Sequence, residues 1–552
     1  MKSNISKAIA TCAVISGMFS TQLLAGTTII ENVQGYSHNG TTLQQFTAVQ
    51  FSNDKIDKVF FNSDDLPNDK SIKRIDGQGK TLLPGLIDAH GHVLSYGLSL
   101  LRADVVDTTS EQNAVTRVVN YAKKNQQLSW LQGRGWNQVQ WPSKSFPSAA
   151  SLDEHFQDTP VVLARIDGHA IWVNSKAMQL AGININTKDV SGGQIIRDKE
   201  GNPNGVFIDN AMNLIYSKIP ALTAAETQAA LKIAMQSLAS VGLTSVHDAG
   251  ISTDNIAAFK HLSKNDEMII RINAMIDAND AQLEQQLAQG HFASDDDMFI
   301  INSVKISADG ALGSRGAALI KDYSDMPHHK GLLLHDEDEL NALMKKSMQA
   351  GFQVNTHAIG DNANKIVIDN YEQLIKVTNS KKLRHRVEHA QVLQLSDIPR
   401  FAELGIIASM QATHATSDKN MAEDRLGKDR IKGAYAWRSL LKAKAVIAAG
   451  SDFPVEYPNP FYGLHASVTR QDKQNLPESG WYSNEAMTVS EAFKSFTLDA
   501  AYAGHQEQQL GSIEVNKKAD FILIDQNIFT INAQEIWKTK VINTWVNGEL
   551  VH

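Results

Sequence analysis

The stretch that decides the fold reads Leu82-Leu83-Pro84-Gly85-Leu86-Ile87-Asp88-Ala89-His90-Gly91-His92. Apolar residues and a Pro-Gly step lead into two histidines that are separated by one residue. Side chains two residues apart on a β-strand point to the same face, so His90 and His92 are expected to enter one common space. Two imidazoles that converge at the end of a buried strand form half of a transition-metal site. The alternative is that the two histidines only cap a core strand.

Length and composition indicate a globular protein with a large core. The chain has 552 residues, of which 42% are hydrophobic, and its formal net charge is −8 at pH 7. This length favours two domains, or one large barrel with attached segments. The acidic balance without basic clusters predicts neither nucleic acid nor an anionic membrane as a partner. Beyond the N-terminus, no apolar run is long enough to span a bilayer.

The first 25 residues have the pattern of a secretory signal peptide. Lys2 and Lys7 precede an apolar run over residues 8–19, and the small residues Ala25 and Gly26 follow. A basic start, a short apolar segment and a small-residue stop are typical of cleaved export signals. This pattern predicts export, in a bacterium to the periplasm. A buried first helix is the alternative.

Cys12 is the only cysteine of the chain and lies within this predicted signal peptide. A mature protein without residues 1–25 has no cysteine, which excludes disulfides, thiolate zinc sites and a cysteine nucleophile. Loss of the segment also takes the formal net charge from −8 to −10.

Both ends of the chain are rich in short β-like segments. Examples are Phe46-Thr47-Ala48-Val49-Gln50-Phe51 near the N-terminus and Asp520-Phe521-Ile522-Leu523-Ile524 near the C-terminus. Polar turn residues separate these segments. We therefore expect residues 26–83 and 506–552 to form one small β-sandwich domain together.

Between these ends, residues 84–505 alternate apolar strand segments with helical stretches, the pattern of a parallel α/β protein. Eight strand segments can be counted, ending near residues 90, 248, 275, 306, 357, 389, 411 and 452. Eight parallel strands with intervening helices predict a TIM barrel, (β/α)8. A doubly wound open sheet is the alternative, but its glycine-rich phosphate turn is missing. The long segment of about 100–240 predicts an inserted substructure after the first strand that carries binding residues, or else a structural lid.

Polar residues stand at the ends of five of these eight strand segments. They are His90 and His92, Lys305, His357, His389, and Asp452. A barrel collects its catalytic groups on one face from the C-terminal ends of different strands. Single histidines in such places are often satisfied core residues, but a repeated pattern of this kind predicts one shared site.

The order of these residues resembles the amidohydrolase superfamily, with His-x-His on the first strand, Lys on the fourth, His on the fifth and sixth, and Asp on the eighth. The segments Ser303-Val304-Lys305-Ile306-Ser307-Ala308-Asp309-Gly310-Ala311-Leu312-Gly313-Ser314-Arg315-Gly316-Ala317 and Asp167-Gly168-His169-Ala170-Ile171-Trp172-Val173-Asn174-Ser175 are similar to its YtcJ-like branch, also called amidohydrolase family 3. That branch includes N-substituted formamide deformylases. The resemblance extends from about residue 27 to the C-terminus.

The resemblance implies a metal-dependent hydrolase with Zn²⁺ or another divalent metal, two ions per chain. His90, His92 and Asp452 are expected to hold one ion, and His357 with His389 the other, since neutral imidazoles and a carboxylate suit Zn²⁺. Relatives carry a carbamylated lysine on the fourth strand that bridges two metals, which implies a carbamate on Lys305. An unmodified lysine paired with Asp309 beside a single metal is the alternative. Asp452 is also the expected catalytic acid and base.

Further residues are candidates for substrate contacts. Two of them follow predicted strands and four match pocket positions of the family: His247 and His414, and Trp136, His169, Trp172 and Arg315. Structural roles remain open for each of them. Glu388 is expected to be structural, because it alternates away from His389 along the strand.

The predicted activity is cleavage of a C–N bond of amide type in a small molecule by metal-activated water. Cleavage of a lactone or ester is the alternative chemistry, and a non-catalytic binding protein on the same barrel is the alternative class. A homo-oligomer is possible. The sequence contains neither a Gly-x-Ser-x-Gly nucleophile elbow nor a His-Glu-x-x-His zinc motif.

Overall fold

A computed structural model describes residues 26–125 and 128–552. The predicted signal peptide, residues 1–25, lies outside the described residues. Among the helices of the described part, none combines the length and apolar character needed to cross a bilayer.

From Thr28 the chain forms short strands joined by turns. They are β1 (Thr28–Glu31), β2 (Gln34–His38), β3 (Leu43–Phe46), β4 (Ala48–Ser52), β5 (Lys55–Phe60), β6 (Lys73–Asp76) and β7 (Thr81–Pro84). One sheet has the order β5-β4-β1-β6. β7 then leads through Gly85 into β8 (Leu86–Gly91). A Cβ atom at Gly85 would lie 2.1 Å from Thr244 Oγ1, so only glycine allows this close strand entry.

The segment after β8 folds into a substructure with its own sheet. Its elements are α1 (Val93–Leu101), β9 (Ala103–Asp104), α2 (Glu111–Lys124), β10 (Leu131–Trp136), α3 (Ala149–Asp153), β11 (Val161–Arg165), β12 (Ala170–Val173), α4 (Ser175–Leu180), β13 (Gly193–Arg197), β14 (Pro203–Asp209) and α5 (Asn213–Tyr216). The sheet order is β13-β14-β12-β11-β10-β9. Apolar and tryptophan side chains, among them Trp141, Leu163 and Val206, pack against it in a core of their own. The insertion is therefore a folded layer on the barrel.

The rest of the barrel follows in regular alternation. Its elements are α6 (Ala224–Ser240), β15 (Leu243–Ile251), α7 (Thr253–Lys264), β16 (Arg271–Asp277), α8 (Leu283–Gln289), β17 (Phe292–Ala293), β18 (Phe299–Ser307), α9 (Glu337–Gln349), β19 (Gln353–Ala358), α10 (Asp361–Thr378), β20 (Arg386–His389), α11 (Ile398–Leu404), β21 (Ile407–Gln411), α12 (Ala412–Asp418), α13 (Ala422–Arg430), α14 (Trp437–Lys442), β22 (Ile447–Gly450), α15 (Pro460–Thr469), α16 (Val489–Ser495) and α17 (Leu498–Ala503). Local signals agree with this pattern: Thr223 and Glu226 form a reciprocal capping box that starts α6.

Eight strands of the described chain form the predicted parallel barrel, in the order β22-β21-β20-β19-β18-β16-β15-β8. The two ends of this sheet meet at the opening motif. The backbone N–H of Asp452 donates a 2.7 Å hydrogen bond to the carbonyl of His90, and that of Ser451 donates to the Asp88 carboxylate at 3.1 Å. The prediction of a (β/α)8 barrel is confirmed, and closure brings the first and last strands together.

The chain ends with β23 (Phe521–Ile524), β24 (Val541–Val546) and β25 (Glu549–Leu550). They join the N-terminal strands in a six-stranded sheet of order β25-β24-β23-β7-β2-β3. The two sheets enclose an apolar core to which both termini contribute, for example Phe51 and Phe521 with ring centroids 5.4 Å apart. A buried ion pair of 2.8 Å between Arg271 and Asp520 joins this layer to the barrel.

Candidate metal centre

Three predicted ligands meet where the barrel closes. His90 lies in β8, His92 directly precedes α1, and Asp452 follows β22. Asp452 Oδ1 lies 3.0 Å from His92 Nε2 and 3.6 Å from His90 Nε2. These contacts lack hydrogen-bond geometry, which leaves His90 Nε2 and Asp452 Oδ1 buried without a partner in the described part of the chain. Buried polar atoms normally have a partner, and a metal ion fits this set of nitrogen and oxygen donors.

A second group of potential ligands shares Asp452. His389 ends β20, His414 lies in α12, and their ligand atoms and that of Asp452 all lie within 4.8 Å of one another. His414 Nε2 is buried, 3.6 Å from Asp452 Oδ2, and has no hydrogen-bond partner among residues 26–125 and 128–552. His414, which was predicted to face the substrate, lines the cavity and also lies among the candidate metal ligands, because α12 starts directly at the end of β21.

His357 lies beside this second group. Its ring centroid is 4.6 Å from that of His389 and 5.4 Å from that of His169. Its Nε2 atom lies 3.3 Å from Asp309 Oδ1. The predicted pair of His357 and His389 is thus adjacent, but the group whose ligand atoms all lie within reach of one another contains His414 in place of His357.

Lys305 lies in β18, on the wall of the same barrel end, and is 7% exposed. Burial lowers the pKa of its ammonium, although the charges of Glu388 and Asp452 oppose this shift. Within the described residues, its Nζ atom has no carboxylate within 4.0 Å. An unpaired ammonium in such a place is costly.

Asp309 is fully buried, and its carboxylate is hydrogen-bonded to backbone N–H groups. Its carboxylate accepts hydrogen bonds from the N–H groups of Ala318 at 2.8 Å, Ile359 at 2.9 Å and Gly360 at 2.8 Å. Among the described residues, the predicted alternative of a direct pair between Asp309 and Lys305 is not formed. Asp309 instead ties the loop after β18 to the end of β19.

Glu388 fixes the orientation of His90. His90 Nδ1 lies 2.5 Å from Glu388 Oε2, and Arg386 Nε lies 2.7 Å from Glu388 Oε1. Burial raises the pKa of Glu388, whereas Arg386 and His90 lower it to about 2, so this side chain is a carboxylate. Because Nδ1 faces Glu388, Nε2 is the nitrogen that faces Asp452, as in carboxylate–histidine–metal arrangements.

His389 is held in a similar way. Its Nδ1 atom lies 2.8 Å from Gln411 Oε1. Burial and the neighbouring His357 hold the pKa of His389 well below its usual value, and burial lowers that of His90 to about 4. Both imidazoles are therefore neutral near pH 7, the form that binds metals.

The role of Glu388 could not be read from strand alternation. Arg386 and Glu388 are two residues apart and face the barrel interior together, as a strand requires. His389 should then face away, but its φ is +73° and that of Ala390 is +44°. This left-handed step turns the His389 side chain into the site as well. Asp452 has a comparable φ of +60°.

His247 lies below this network and outside the cavity wall. The ring is buried, and its Nδ1 atom lies 3.0 Å from Arg386 Nη1. The prediction that His247 contacts substrate is corrected, because its position in the middle of β15 places it one layer beneath the strand ends.

A cavity of about 270 Å³ opens onto the candidate ligands. The barrel contributes His357, His389, His414 and Asp452 to its wall. The insertion contributes further polar residues to the wall. Two are arginines of β10 and β11 and three lie in the loops that follow these strands: Arg134 and Arg165, and Asn137, Asp167 and His169. The inserted substructure therefore contributes side chains to the cavity wall.

His169 is the one predicted substrate residue of the insertion that lines this cavity. Its Nδ1 atom lies 2.6 Å from Asp209 Oδ1. Burial lowers the pKa of His169, but the hydrogen bond and charge of Asp209 raise it to about 9. Asp209 itself sits against two glycines, since a Cβ at Gly310 or Gly316 would lie 2.5 Å from its Oδ2 atom. The glycine-rich segment after β18 thus provides space for the partner of His169.

Three other predicted substrate residues lie elsewhere. Trp136 and Trp172 are fully buried in the core of the insertion, where their indole N–H groups donate to the carbonyls of Leu163 and Ser148 at 2.7 and 2.8 Å. Arg315 forms an ion pair of 3.0 Å with Asp325 outside the cavity. These assignments are corrected.

The segment Gly133-Arg134-Gly135-Trp136 supplies a side chain to the cavity, but it is Arg134 and not the predicted Trp136. Gly135 has a φ of +119°, and the pairing with β11 shifts between Arg134 and Trp136. This bulge breaks the two-residue alternation, so the sequence alone could not assign the two side chains to opposite environments.

Comparison with known proteins agrees with this geometry. A family described as "Amidohydrolase family" matches residues 73–552. The Bacillus subtilis protein named "Putative amidohydrolase YtcJ" is 32% identical over 488 residues, which is 87% of this chain and 90% of that protein. The N-substituted formamide deformylase of Arthrobacter pascens is 25% identical over 86% of this chain and 89% of its own length.

A solved structure has the same fold. The crystal structure of a metal-dependent hydrolase from Pyrococcus horikoshii, described as uncharacterized, superposes with a TM-score of 0.74 at 23% identity, covering 92% of this chain and 99% of that one. The match of residues 73–552 covers most of the sequence and includes every candidate ligand. The chain belongs to the amidohydrolase family.

Proposed function

We propose that this protein is an exported, metal-dependent amidohydrolase that cleaves a C–N amide bond of a small molecule. One observation carries the proposal: buried ligand atoms of His90, His414 and Asp452 lack protein partners in the described chain and converge beside a cavity. The cavity has roughly the volume of a small-molecule site. The deformylase relative acts, by its name, on N-substituted formamides, which supports an amide over other carbonyl substrates.

A bound divalent ion supplies the reactive chemistry, since it lowers the pKa of water and polarises a carbonyl oxygen. The residues of this chain hold and orient the reacting groups. Burial raises the pKa of Asp452, but the close imidazole of His92 and the neighbouring histidines hold it well below its usual value. Asp452 is therefore an ionised base that accepts the proton of the attacking water and returns it to the leaving amine.

The proposed metal is Zn²⁺, with two ions per chain. His90, His92 and Asp452 form one group, and His389 and His414 with Asp452 form the other, next to His357. Imidazole and carboxylate ligands without thiolates are compatible with zinc and with other divalent ions.

A carbamate on Lys305 is part of the proposal. The neutral amine adds to CO₂ and releases one proton, which gives an anionic carbamate at a position where the ammonium form would be a cation. The absence of a carboxylate partner for Lys305 among the described residues, and the burial that lowers its pKa, support this modification. An anionic carbamate near two metal groups also resolves the repulsion that an ammonium would meet there.

The test of this function combines metal analysis with a substrate panel. Purified protein is loaded with Zn²⁺ and assayed with N-substituted formamides, N-acyl amino acids, cyclic imides, lactones and esters of matched size. Amide turnover that disappears with a chelator and returns with metal supports the proposal. Turnover of lactones or esters alone supports the alternative chemistry. Tightly bound metal without any turnover, or no bound metal, supports a binding protein.

Export is tested separately. The basic start and the apolar run of residues 8–19 predict that the segment is cleaved near Ala25 or Gly26. Expression in a bacterium, followed by N-terminal sequencing of the periplasmic fraction, checks the prediction. A full-length chain that keeps Met1 and stays in the cytosol contradicts it.

A further inference from the structure

The cavity contains two arginines of the insertion, and their surroundings differ. Arg165 is fully engaged: its Nε donates to Gln138 Oε1 at 2.8 Å, one Nη donates to Asn137 Oδ1 at 2.9 Å, and the other pairs with Asp167. The charge of Arg165 is therefore neutralised within the protein.

Arg134 has no such partners. One of its Nη atoms donates to the carbonyl of Ile166, but Nε is buried without an acceptor in the described chain. Among residues 26–125 and 128–552, no carboxylate lies within 4.0 Å of its guanidinium. Gly168, which has no side chain, lies next to Nη1, since a Cβ there would be 3.8 Å away. The guanidinium thus faces the cavity with unused donors.

Two acidic groups that line the same cavity are engaged by hydroxyl groups and do not pair with Arg134. Asp418 accepts from the Tyr435 hydroxyl at 2.6 Å, and Glu456 accepts from the Ser417 hydroxyl at 2.6 Å. Burial raises the pKa of both carboxyls. Burial lowers the pKa of Arg134, and the more distant charges of Asp452 and Asp167 oppose this shift. A buried charge without a partner is unfavourable, and an anionic ligand would relieve it.

We propose that Arg134 binds a carboxylate of the substrate, so that the preferred substrates are amides with a free carboxylate, such as N-acyl amino acids. The planar guanidinium and the carboxylate match in geometry and form charge-assisted hydrogen bonds. Arg134 and the candidate ligands His357, His389 and Asp452 line one cavity, so a molecule held by its carboxylate at Arg134 directs its acyl group toward the metal centre. This substrate class rests on the proposed amide hydrolysis.

The test compares matched pairs of ligands on the Zn²⁺-loaded mature protein. N-formyl-, N-acetyl- and N-benzoylglycine are each assayed beside their C-terminal amides, which lack only the negative charge. Binding of N-benzenesulfonylglycine and its amide, which resist hydrolysis, is measured by calorimetry in parallel. Arg134→Gln and Arg134→Lys are compared with Arg315→Gln, which removes an arginine charge outside the cavity.

We expect the wild-type protein to prefer the carboxylate member of at least one pair by about 10- to 100-fold in kcat/KM, the range of one charge-assisted contact. Arg134→Gln should abolish that preference, chiefly through KM, and Arg134→Lys should keep part of it. Arg315→Gln should keep the wild-type ratio.

The two measurements separate this proposal from the proposed hydrolysis. A carboxylate preference in binding that Arg134→Gln removes supports the anchor even if no compound is hydrolysed, in which case amide hydrolysis is the proposal that fails. Hydrolysis or binding that does not distinguish acid from amide, or a preference that persists in Arg134→Gln, overturns the anchor. Absence of binding by every carboxylate of the panel also overturns it.

Discussion

Replacement of Glu388 by Gln removes a negative charge beneath the candidate metal centre and leaves the side-chain shape nearly unchanged. In the structure, Glu388 Oε2 lies 2.5 Å from His90 Nδ1, and its Oε1 lies 2.7 Å from Arg386 Nε. The amide group keeps one acceptor but presents an N–H to one of these two donors. The change therefore affects both the metal ligand and a buried arginine.

The two effects have different sizes and different readouts. Loss of the carboxylate that orients a metal-binding histidine costs about 10- to 100-fold in metal affinity, which is about 1.4 to 2.8 kcal/mol. Loss of one partner of a buried ion pair costs about 3 to 5 kcal/mol of unfolding free energy. Arg386 keeps hydrogen bonds to Ser409 Oγ at 2.8 Å and to His247 Nδ1 at 3.0 Å. We therefore expect the loss of unfolding free energy to lie near about 3 kcal/mol, the lower end of this range.

Competition titration of Zn²⁺ against a chelator measures the first effect, and urea unfolding of the metal-free protein measures the second. Glu507→Gln is the matched control, because Glu507 pairs with Arg384 at 2.8 Å where both side chains are partly exposed. The ion pair of Glu507 and Arg384 should contribute at most about 1 kcal/mol to the unfolding free energy, and its loss should leave the affinity for zinc unchanged. A Glu388→Gln protein with wild-type affinity for zinc and an unfolding free energy like that of the control would refute the orienting role.

Three further predictions follow from the same geometry. His90→Ala and His92→Ala should each lower metal content and abolish turnover, measured by elemental analysis and the substrate panel; unchanged metal content in either variant would contradict the assignment. Lys305→Ala should lose activity and one metal, and Lys305→Glu should retain more metal than Lys305→Ala because its carboxylate resembles a carbamate. Lys305→Arg should be as damaging as Lys305→Ala. An active Lys305→Arg protein with one metal per chain in bicarbonate buffer would exclude the bridged site. Gly310→Ala should reduce kcat with full metal content, because its Cβ would lie 2.5 Å from the Asp209 carboxylate; loss of metal instead would show a wider disturbance.

The sequence alone determined the barrel and the elements that carry its site. Each strand of the middle region is a short apolar run, and these runs alternate with amphipathic helices, so local composition and periodicity were sufficient to count eight units. Because parallel strands place their C-terminal ends on one face, the residues that end those runs could be grouped without coordinates. His90, His92, His389 and Asp452 illustrate this, since all four belong to groups that can hold a metal.

Tertiary structure decided which neighbours these residues have. The left-handed backbone at His389 and the bulge at Gly135 break the two-residue alternation, so His389 and Arg134 face the site against the pattern that a regular strand predicts. His414 joins the ligands only because its helix starts at a strand end. Periodicity describes regular backbone, whereas functional sites concentrate irregular backbone. Contacts between residues hundreds of positions apart, such as Glu388 with His90, arise from closure of the barrel and leave no trace in local sequence.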